Sequence, residues 1–302
     1  MIPNPPAIQG LLGATAVVAM WTGFILIGRL GVTHNLTAPD VIALRYATAA
    51  LVLLPLWRRH GCPNLLRTPL ILLTGLGGVA YAGFTYAGFA LAPAAHAGLL
   101  LPGLLPLGTT LLAWCLLGQR PSLAQWMANA GILAGLALFL GLARDALFHP
   151  SRLGDLLLVA GSLCWSLYGV LMRRWRVTPV ETATAVAVFT AIAYLPVYWF
   201  WLPKGIHHAS ADEVILQIIY QGVIASVIQM LIYVRTVQLI GPARLTMAMA
   251  FIAPLVALAA VPLLGESVTL GLVAAIGVTT ISAWWGGYAA RPLPITTSHA
   301  LR

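Results

Sequence analysis

Two tryptophans, Trp21 and Trp165, lie in the middle of long apolar segments of the sequence. An indole at that depth must find a partner for its N–H group or pack against other helices. Tyr168 follows Trp165 by three residues and therefore shares its face on a helix. We predict that these three aromatic side chains flank a cavity and stack on a small ligand, with ordinary packing between helices as an equal alternative.

A polar stripe is the second candidate for a binding surface. Gly222, Ser226, Gln229 and Tyr233 recur at helical spacing, which places them within roughly 60° of one another on an α-helix. A polar stripe in an apolar helix faces protein or water rather than lipid. It either lines a path or bonds to neighbouring helices, and we favour the path.

An earlier segment offers Tyr81 and Tyr86, which lie about 140° apart on an α-helix. Tyr86 corresponds to Tyr233 at a shift of 147 residues, and this symmetry favours Tyr86. Thr85 shares a face with Tyr81, and this polar surface favours Tyr81. The sequence leaves both tyrosines as candidates for the same site.

Charged and titratable groups are rare inside the apolar segments. Arg45 lies about a turn and a half into its segment, where pairing with Asp40 or extension to the surface is favoured over attraction of a ligand carboxylate. His96 is interpreted as a buried, satisfied histidine rather than a proton carrier, and no acidic partner for it is evident in the sequence. Every acidic residue falls in a connection or at the start of a segment. Coupling to an ion gradient usually needs a carboxylate or histidine at membrane depth, so this pattern predicts no obligatory ion coupling. The prediction is firmer for protons than for sodium, because backbone carbonyls can bind sodium.

These residues belong to a chain of 302 residues that is 60% hydrophobic and only 8% charged, too few charges to cover a soluble domain of this length. Apolar runs of about twenty residues recur along the chain, as membrane-spanning helices require, without the alternation of a β-barrel. The sequence predicts an all-α integral membrane protein with ten spans. We place them at about 9–30, 39–57, 69–90, 94–117, 122–142, 153–172, 180–202, 212–234, 243–264 and 268–290.

Basic residues set the orientation. With the N-terminus inside, ten arginines fall on the inner side and four basic residues on the outer side, so both termini are predicted to be cytoplasmic. The net charge of +9 has the same origin, and basic residues spread over short connections do not predict nucleic-acid binding. The tail 291–302 is predicted to be disordered.

The two halves of the chain resemble each other. Gly10 and Trp21 recur as Gly154 and Trp165 at a shift of 144 residues, and the step ending in Gly118 recurs at a shift of 147. Two units of five spans follow, over residues 1–148 and 149–290, and an odd number of spans makes the second unit inverted. Inverted repeats with a site near the midplane are a hallmark of secondary transporters, so we weight transport above a purely structural duplication.

Four prolines interrupt spans at related places in the two halves. Proline removes a backbone donor and kinks a helix. Matching interruptions point to a transport site, although proline is frequent in membrane helices in general. We predict that the four act as kinks or in gating, and they are Pro102, Pro106, Pro254 and Pro262.

No enzyme or metal constellation is present in the sequence. There is no P-loop, HExxH or GxSxG motif, and Cys62, Cys115 and Cys164 lack metal spacing. We predict no catalytic activity, no cofactor and no metal; the partners are the lipid bilayer and a small-molecule substrate, and the oligomeric state is left open. Small-residue pairs, Gly131 with Gly135 and Gly271 with Ala275, predict close helix packing within the protein or at a dimer face.

Four short motifs follow one another along the chain: Trp21-Thr-Gly, Pro39-Asp-Val-Ile-Ala-Leu-Arg45-Tyr, Leu-Leu-Gly-Gln119 and Leu-Leu-Gly-Glu266. In this order and spacing they resemble the drug/metabolite transporter superfamily, specifically its ten-span EamA-type members, and the resemblance covers about residues 9–290. Gln119 departs from the family, which usually has Glu there, so no function is assigned to a paired carboxylate.

The resemblance implies export of amino acids, in a narrower interpretation aromatic ones, or of related metabolites through the bacterial inner membrane. Multidrug and nucleotide-sugar carriers are the alternatives. A carrier for cationic drugs would need a buried carboxylate, and a nucleotide-sugar carrier would need several basic groups facing the cavity. The sequence shows neither pattern.

Overall fold

The computed structural model describes residues 5–59, 68–142 and 150–289, and these ranges form ten helices and no strand. The helices are α1 Pro5–Thr33, α2 Ala38–Arg59, α3 Thr68–Leu91, α4 Ala94–Leu117, α5 Leu123–Leu142, α6 Pro150–Arg174, α7 Pro179–Trp201, α8 Ala211–Ile240, α9 Pro242–Leu264 and α10 Leu270–Ala289. Each contains an apolar stretch long enough to cross a bilayer, which confirms the prediction of ten spans. The tail 291–302 and Cys62 lie outside the described residues.

Local chemistry explains where several helices begin and end. Capping boxes begin α2, α7 and α8, with the pairs Thr37 and Asp40, Thr178 and Glu181, and Ser210 and Glu213. In each pair the hydroxyl and the carboxylate satisfy backbone N–H groups that a helix start leaves free. At their other ends, α4 and α9 stop at Gly118 and Gly265, whose φ angles of +67° and +65° favour glycine. Three of the seven acidic residues are therefore used at helix starts.

Both α4 and α9 are broken near their middle. The α-helical pattern is interrupted at residues 101–104 in α4 and at residues 250–251 in α9. Pro102 lies within the first break. Pro106 and Pro254 lie in the first turn of the half-helix that follows each break, where the missing proline N–H has no helical acceptor to lose.

Two other helices contain π-helical stretches, at Gly75–Ala80 in α3 and Ile218–Ile228 in α8. The i→i+5 bonding of such a stretch changes which side chains share a face. Its carbonyls also accept side-chain donors. The Tyr46 hydroxyl donates to the Gly78 carbonyl at 3.2 Å, and the Ser226 hydroxyl donates to a carbonyl of its own helix at 2.7 Å.

Helix packing follows a pseudo-two-fold relation between α1–α5 and α6–α10. Helix α3 packs along α6 as α8 packs along α1, and α2, α4 and α5 pack against their own equivalents α7, α9 and α10. Close contacts repeat as well, because Gly78 of α3 faces Thr190 of α7 and Gly222 of α8 faces Thr48 of α2. These relations confirm the prediction of two inverted five-helix repeats.

The small pair on α5 packs inside the protein rather than on its outer surface. Gly131 lies against Ser282 and Gly135 lies against Thr279, both on α10, and a Cβ at either glycine would come within 2.2 Å of the hydroxyl oxygen that it faces. Ala275 of α10 is fully buried. Close approach of two helices through small residues is a common packing mode in membranes.

The two ends of the bundle differ. We call the end where α1 begins and α10 ends the terminal side, and the opposite end the far side. At the far side α1 contacts α3 and the first half of α4, whereas their equivalents, α6 with α8 and with the first half of α9, make only marginal contact in the described residues. Tyr86 is fully buried, but its equivalent Tyr233 is 38% exposed. The bundle is therefore closed at the far side and open at the terminal side.

Candidate functional site

Four aromatic side chains from both halves meet at the centre of the bundle, and we call Trp21, Tyr81, Trp165 and Tyr168 the aromatic cluster. The Trp165 ring centroid lies 6.1 Å from that of Trp21, 4.7 Å from that of Tyr81 and 5.0 Å from that of Tyr168. Trp21 and Tyr81 are buried, whereas Trp165 and Tyr168 are partly exposed. The cluster thus presents aromatic surface through the residues of the second half.

Glycines allow the aromatic rings to approach the helices closely. The Tyr168 ring lies against Gly77 in the π-helical stretch of α3, where a Cβ would come within 2.6 Å of it. Gly23 of α1 lies similarly against the Tyr220 hydroxyl, which donates to the Met20 carbonyl at 3.4 Å. Any larger residue at Gly77 would push Tyr168 away from the cluster.

A buried polar network lies next to the cluster and joins α1, α2, α3 and α8. Arg45 Nη1 donates to the Tyr86 hydroxyl at 3.1 Å, and that hydroxyl donates to Gln221 Oε1 at 2.8 Å. Gln221 Nε2 in turn donates to the Phe24 carbonyl at 3.0 Å. Tyr86 and Gln221 are fully buried and Arg45 is 8% exposed, so the network lies in the interior of the protein.

Phe24 connects the polar network with the aromatic cluster. Its ring centroid lies 5.7 Å from that of Trp21 and 6.1 Å from that of Tyr86. The Arg45 guanidinium lies over the Phe24 ring, 5.0 Å from its centroid, within the range of a cation–π interaction. The two parts form one continuous site, with aromatic faces at one end and a cation at the other.

The structure brings both candidate tyrosines of α3 into this site. Tyr81 contacts Trp165 in the aromatic cluster, and Tyr86 lies in the polar network. The sequence left the choice between the two tyrosines open. In the structure both contribute, each to a different part of the site.

The predicted stripe on α8 does not form a single face towards this site. Gly222 packs on Thr48 of α2, and Ser226 bonds within its own helix. Gln229 is buried with Oε1 unpartnered, whereas Tyr233 is exposed. The spacing argument fails because Ile218–Ile228 is π-helical, so the α-helical rotation of about 100° per residue does not apply there.

Three of the four prolines lie at the breaks of α4 and α9 described above. Pro262 lies inside the second half of α9, which continues to Leu264. Pro262 therefore does not mark a break in its helix.

Arg45 neither pairs with Asp40 nor extends to the surface, contrary to the preferred expectation. The Asp40 carboxylate is occupied by other donors: Oδ1 accepts from the Tyr198 hydroxyl at 2.6 Å, and Oδ2 accepts from the amides of Thr37 and Gly205 at 2.7 and 2.8 Å. Asp40 thus ties α2 to α7 and to the connection that follows α7. The expectation failed because donors distant in sequence bind the carboxylate.

His96 has an acidic partner that the sequence did not reveal. Its Nδ1 lies 2.8 Å from Oδ1 of Asp155, which lies near the start of α6. The imidazole also packs nearly perpendicular to the Phe139 ring, with 4.8 Å between the ring centroids. The partner is not evident in the sequence because helix packing joins residues that are 59 positions apart.

Phe24 and Gln221 are site residues that the sequence analysis missed. Phe24 precedes Tyr168 by the same 144 residues that separate Trp21 from Trp165, so the repeat could have identified it. Gln221 is a polar residue within an apolar span, which is itself a signal of an interior position.

Comparison with known proteins agrees with this architecture. The sequence profile of the EamA-like transporter family matches the chain twice, over residues 8–141 and 152–285. A solved crystal structure with 22% sequence identity has the same fold, with a TM-score of 0.61 over 91% of this chain and 95% of that chain. No curated protein matches the sequence. The two profile matches coincide with the two five-helix halves.

Proposed function

Since this chain belongs to the EamA-like transporter family and is a multi-pass membrane transporter, we propose that it exports amino acids, aromatic ones among them, or related small metabolites by alternating access. The aromatic cluster carries this proposal. It is built by α1, α3 and α6 and thus lies between the halves, where transporters with inverted repeats bind their substrates. Aromatic faces with a few hydrogen-bonding groups suit a substrate with apolar bulk.

The charge of the site argues against the alternative carriers. A cationic drug would require a buried carboxylate, whereas the charged group that joins this site is the Arg45 guanidinium. A nucleotide-sugar carrier would require several basic groups to hold its phosphates, and the polar network contains a single one.

The orientation in this proposal places both termini in the cytoplasm of a bacterial inner membrane, with residues 1–148 and 149–290 as the two repeat units. The excess of arginines on that side supports it. The terminal side then faces the cytoplasm, and the open end of the bundle receives substrate from there.

Transport in this proposal needs no ion gradient. Within the described residues, no hydrogen bond or ion pair joins an acidic side chain to the aromatic cluster or to the polar network. The His96–Asp155 pair lies outside both, where α4 begins. A substrate that accumulates in the cytoplasm would leave down its own gradient.

The test is counterflow in proteoliposomes without pH or sodium gradients. Liposomes preloaded with unlabelled tryptophan are expected to accumulate labelled tryptophan, and Trp165→Ala should lower the initial rate roughly tenfold because stacking surface is lost. Trp199→Ala is the matched control, since Trp199 is 68% exposed and lies outside the site.

Three outcomes would contradict parts of the proposal. Uptake that appears only after a pH or sodium gradient is imposed would show ion coupling. Unchanged kinetics in Trp165→Ala would remove the cluster from the site. Folded, reconstituted protein that moves no amino acid would remove amino acids from the proposed substrates.

A further inference from the structure

We infer that the Arg45 guanidinium binds the carboxylate of the substrate and that the site holds no matching group for the substrate's amino group. The carboxylate, rather than the whole zwitterion, then defines the substrate class, which includes aryl acids without an amino group. The inference rests on the proposed function and names the group that the same site recognises.

Arg45 is a buried cation whose charge nothing in the described chain neutralises. It is 8% exposed, and its one side-chain hydrogen bond goes to a neutral hydroxyl, that of Tyr86. Arginine stays protonated in proteins, and a buried charge without a counter-ion is costly at membrane depth. Because burial of this unpaired charge is destabilising, we expect the guanidinium to bind an anion at some stage of its function.

Several hydrogen-bond donors of the guanidinium have no partner. It carries five N–H donors, of which the Tyr86 bond uses one, and Nε is buried without a partner. The rings of Phe24 and Tyr46 hold the guanidinium at 5.0 and 5.7 Å from their centroids. The group is therefore fixed in place with free donors, as bidentate binding of a carboxylate requires.

The acidic side chains of the described residues are engaged elsewhere or lie at the surface. Asp40 binds Tyr198, Thr37 and Gly205, and the carboxylates of Asp155 and Glu266 pair with His96 and Arg29. The rest lie at helix starts, where Glu181 and Glu213 cap α7 and α8 and Asp212 is exposed. None of these contacts places a carboxylate where it could bind a substrate ammonium beside the aromatic cluster.

One side chain joins the two parts of the site. The Phe24 ring centroid lies 5.0 Å from the Arg45 guanidinium and 5.7 Å from the Trp21 ring centroid. This adjacency is the basis for assigning the ring of the substrate to the aromatic cluster and its carboxylate to Arg45.

The cation is present in one half only, which gives the substrate a single orientation. The capping boxes of α2 and α7 give a shift of 141 residues between the two helices, and the contacts of Thr48 and Thr190 give a shift of 142. Arg45 therefore aligns with Val186 or Ala187, both of which are apolar and buried. The pseudo-symmetry therefore does not supply a second anion site.

Competition by three indole compounds tests the inference on the unmodified protein. Tryptophan, indole-3-propionate and tryptamine share the ring and differ in which charged group they carry. We expect indole-3-propionate to inhibit tryptophan counterflow at concentrations similar to those of tryptophan, and tryptamine to be weaker by roughly tenfold to hundredfold, because hydrogen bonds to a charged group are lost. Tryptamine that competes as well as tryptophan would overturn the inference.

Substitution of Arg45 gives the second test. Arg45→Lys keeps the charge but not the planar fork and should raise KM, whereas Arg45→Met should abolish the preference for indole-3-propionate over tryptamine. Arg244→Met is the control, since Arg244 is exposed at the start of α9. An Arg45→Met protein that folds and keeps the preference would also overturn the inference.

The two proposals fail differently. If tryptophan is transported but the compounds do not discriminate, the carboxylate inference falls and the proposed function stands. If no amino acid is transported, the inference can still be tested by thermal unfolding of the purified protein, which needs no transport. Indole-3-propionate should raise the unfolding temperature more than tryptamine does, and equal effects would overturn the inference.

Discussion

Arg29 and Arg173 occupy equivalent positions at the ends of α1 and α6, 144 residues apart, yet their surroundings differ. On the far side, Arg29 Nε donates to Glu266 Oε1 at 3.1 Å, and Glu266 Oε2 accepts from the Ala94 amide at 2.7 Å. Arg29 Nη1 also donates to the Phe89 carbonyl. One ion pair thereby links the ends of α1, α3, α4 and α9.

The terminal side lacks this link because Gln119 stands where the repeat places Glu266. Arg173 has no ion pair within the described residues, and its neighbour Arg174 donates to the Leu116 carbonyl at 2.9 Å. Pseudo-symmetric halves therefore need not stabilise closure of the two ends equally. The alternating access that we propose would exchange the open and closed ends, and the far side has a charged contact that the terminal side lacks.

Removal of the far-side ion pair should have the largest effect on this comparison. Glu266→Gln keeps the shape but loses the charge that neutralises Arg29, and both side chains are mostly buried, at 16% and 13% exposure. We expect a shift of about 2 kcal/mol towards opening of the far side. In a cysteine-free background, a Leu99→Cys reporter, which is 2% exposed, should react with an impermeant maleimide at least roughly tenfold faster.

The control for this experiment is Asp212→Asn, since Asp212 is an exposed acid on the same side. Labelling of Leu99→Cys that stays at its starting rate in Glu266→Gln would show that the ion pair does not hold the far side closed.

The two equivalent tyrosines offer a second, smaller test of the difference between the ends. Tyr86→Phe leaves Gln221 Oε1 without its donor and Arg45 without its acceptor, so it should lower the free energy of unfolding by about 1–2 kcal/mol. Tyr233→Phe removes a hydroxyl from a 38% exposed side chain and should change it by less than about 0.5 kcal/mol. Thermal unfolding in detergent measures both, and equal effects would contradict the difference in closure.

The sequence predicted the spans and the repeat well because both depend on patterns that are local or periodic. A run of about twenty apolar residues specifies a span with little ambiguity, and the matched steps at Gly118 and Gly265 return as matched left-handed helix ends. The contact between Trp21 and Trp165 could be predicted for the same reason, since equivalent residues of inverted repeats approach each other near the pseudo-two-fold axis.

The polar part of the site was not predictable in this way because it depends on partners that are far apart in sequence. Asp40 was the obvious partner for Arg45, but Tyr198 and Gly205 bind it instead. The π-helical stretch of α8 has no recognised sequence signal. It changes which side chains share a face of α8, and Gln221, outside the expected stripe, lies in the interior. Pairing in the interior is decided by helix packing, which one sequence does not specify.

Restoration of the missing charge on the terminal side should have the smallest effect. Gln119→Glu supplies the carboxylate that the repeat lacks opposite Arg173, but Gln119 is exposed, and exposed ion pairs contribute only about 0.2–1 kcal/mol. A Phe251→Cys reporter on α9, 48% exposed before the change, should therefore be labelled less than about fivefold more slowly. The effect should fade at high salt, since screening weakens exposed pairs, and Gln119→Ala should not produce it. A slowing that exceeds the Glu266→Gln effect, or that persists at high salt, would mean that burial rather than exposure governs this end, and the contrast between the two ends would then not rest on the ion pair.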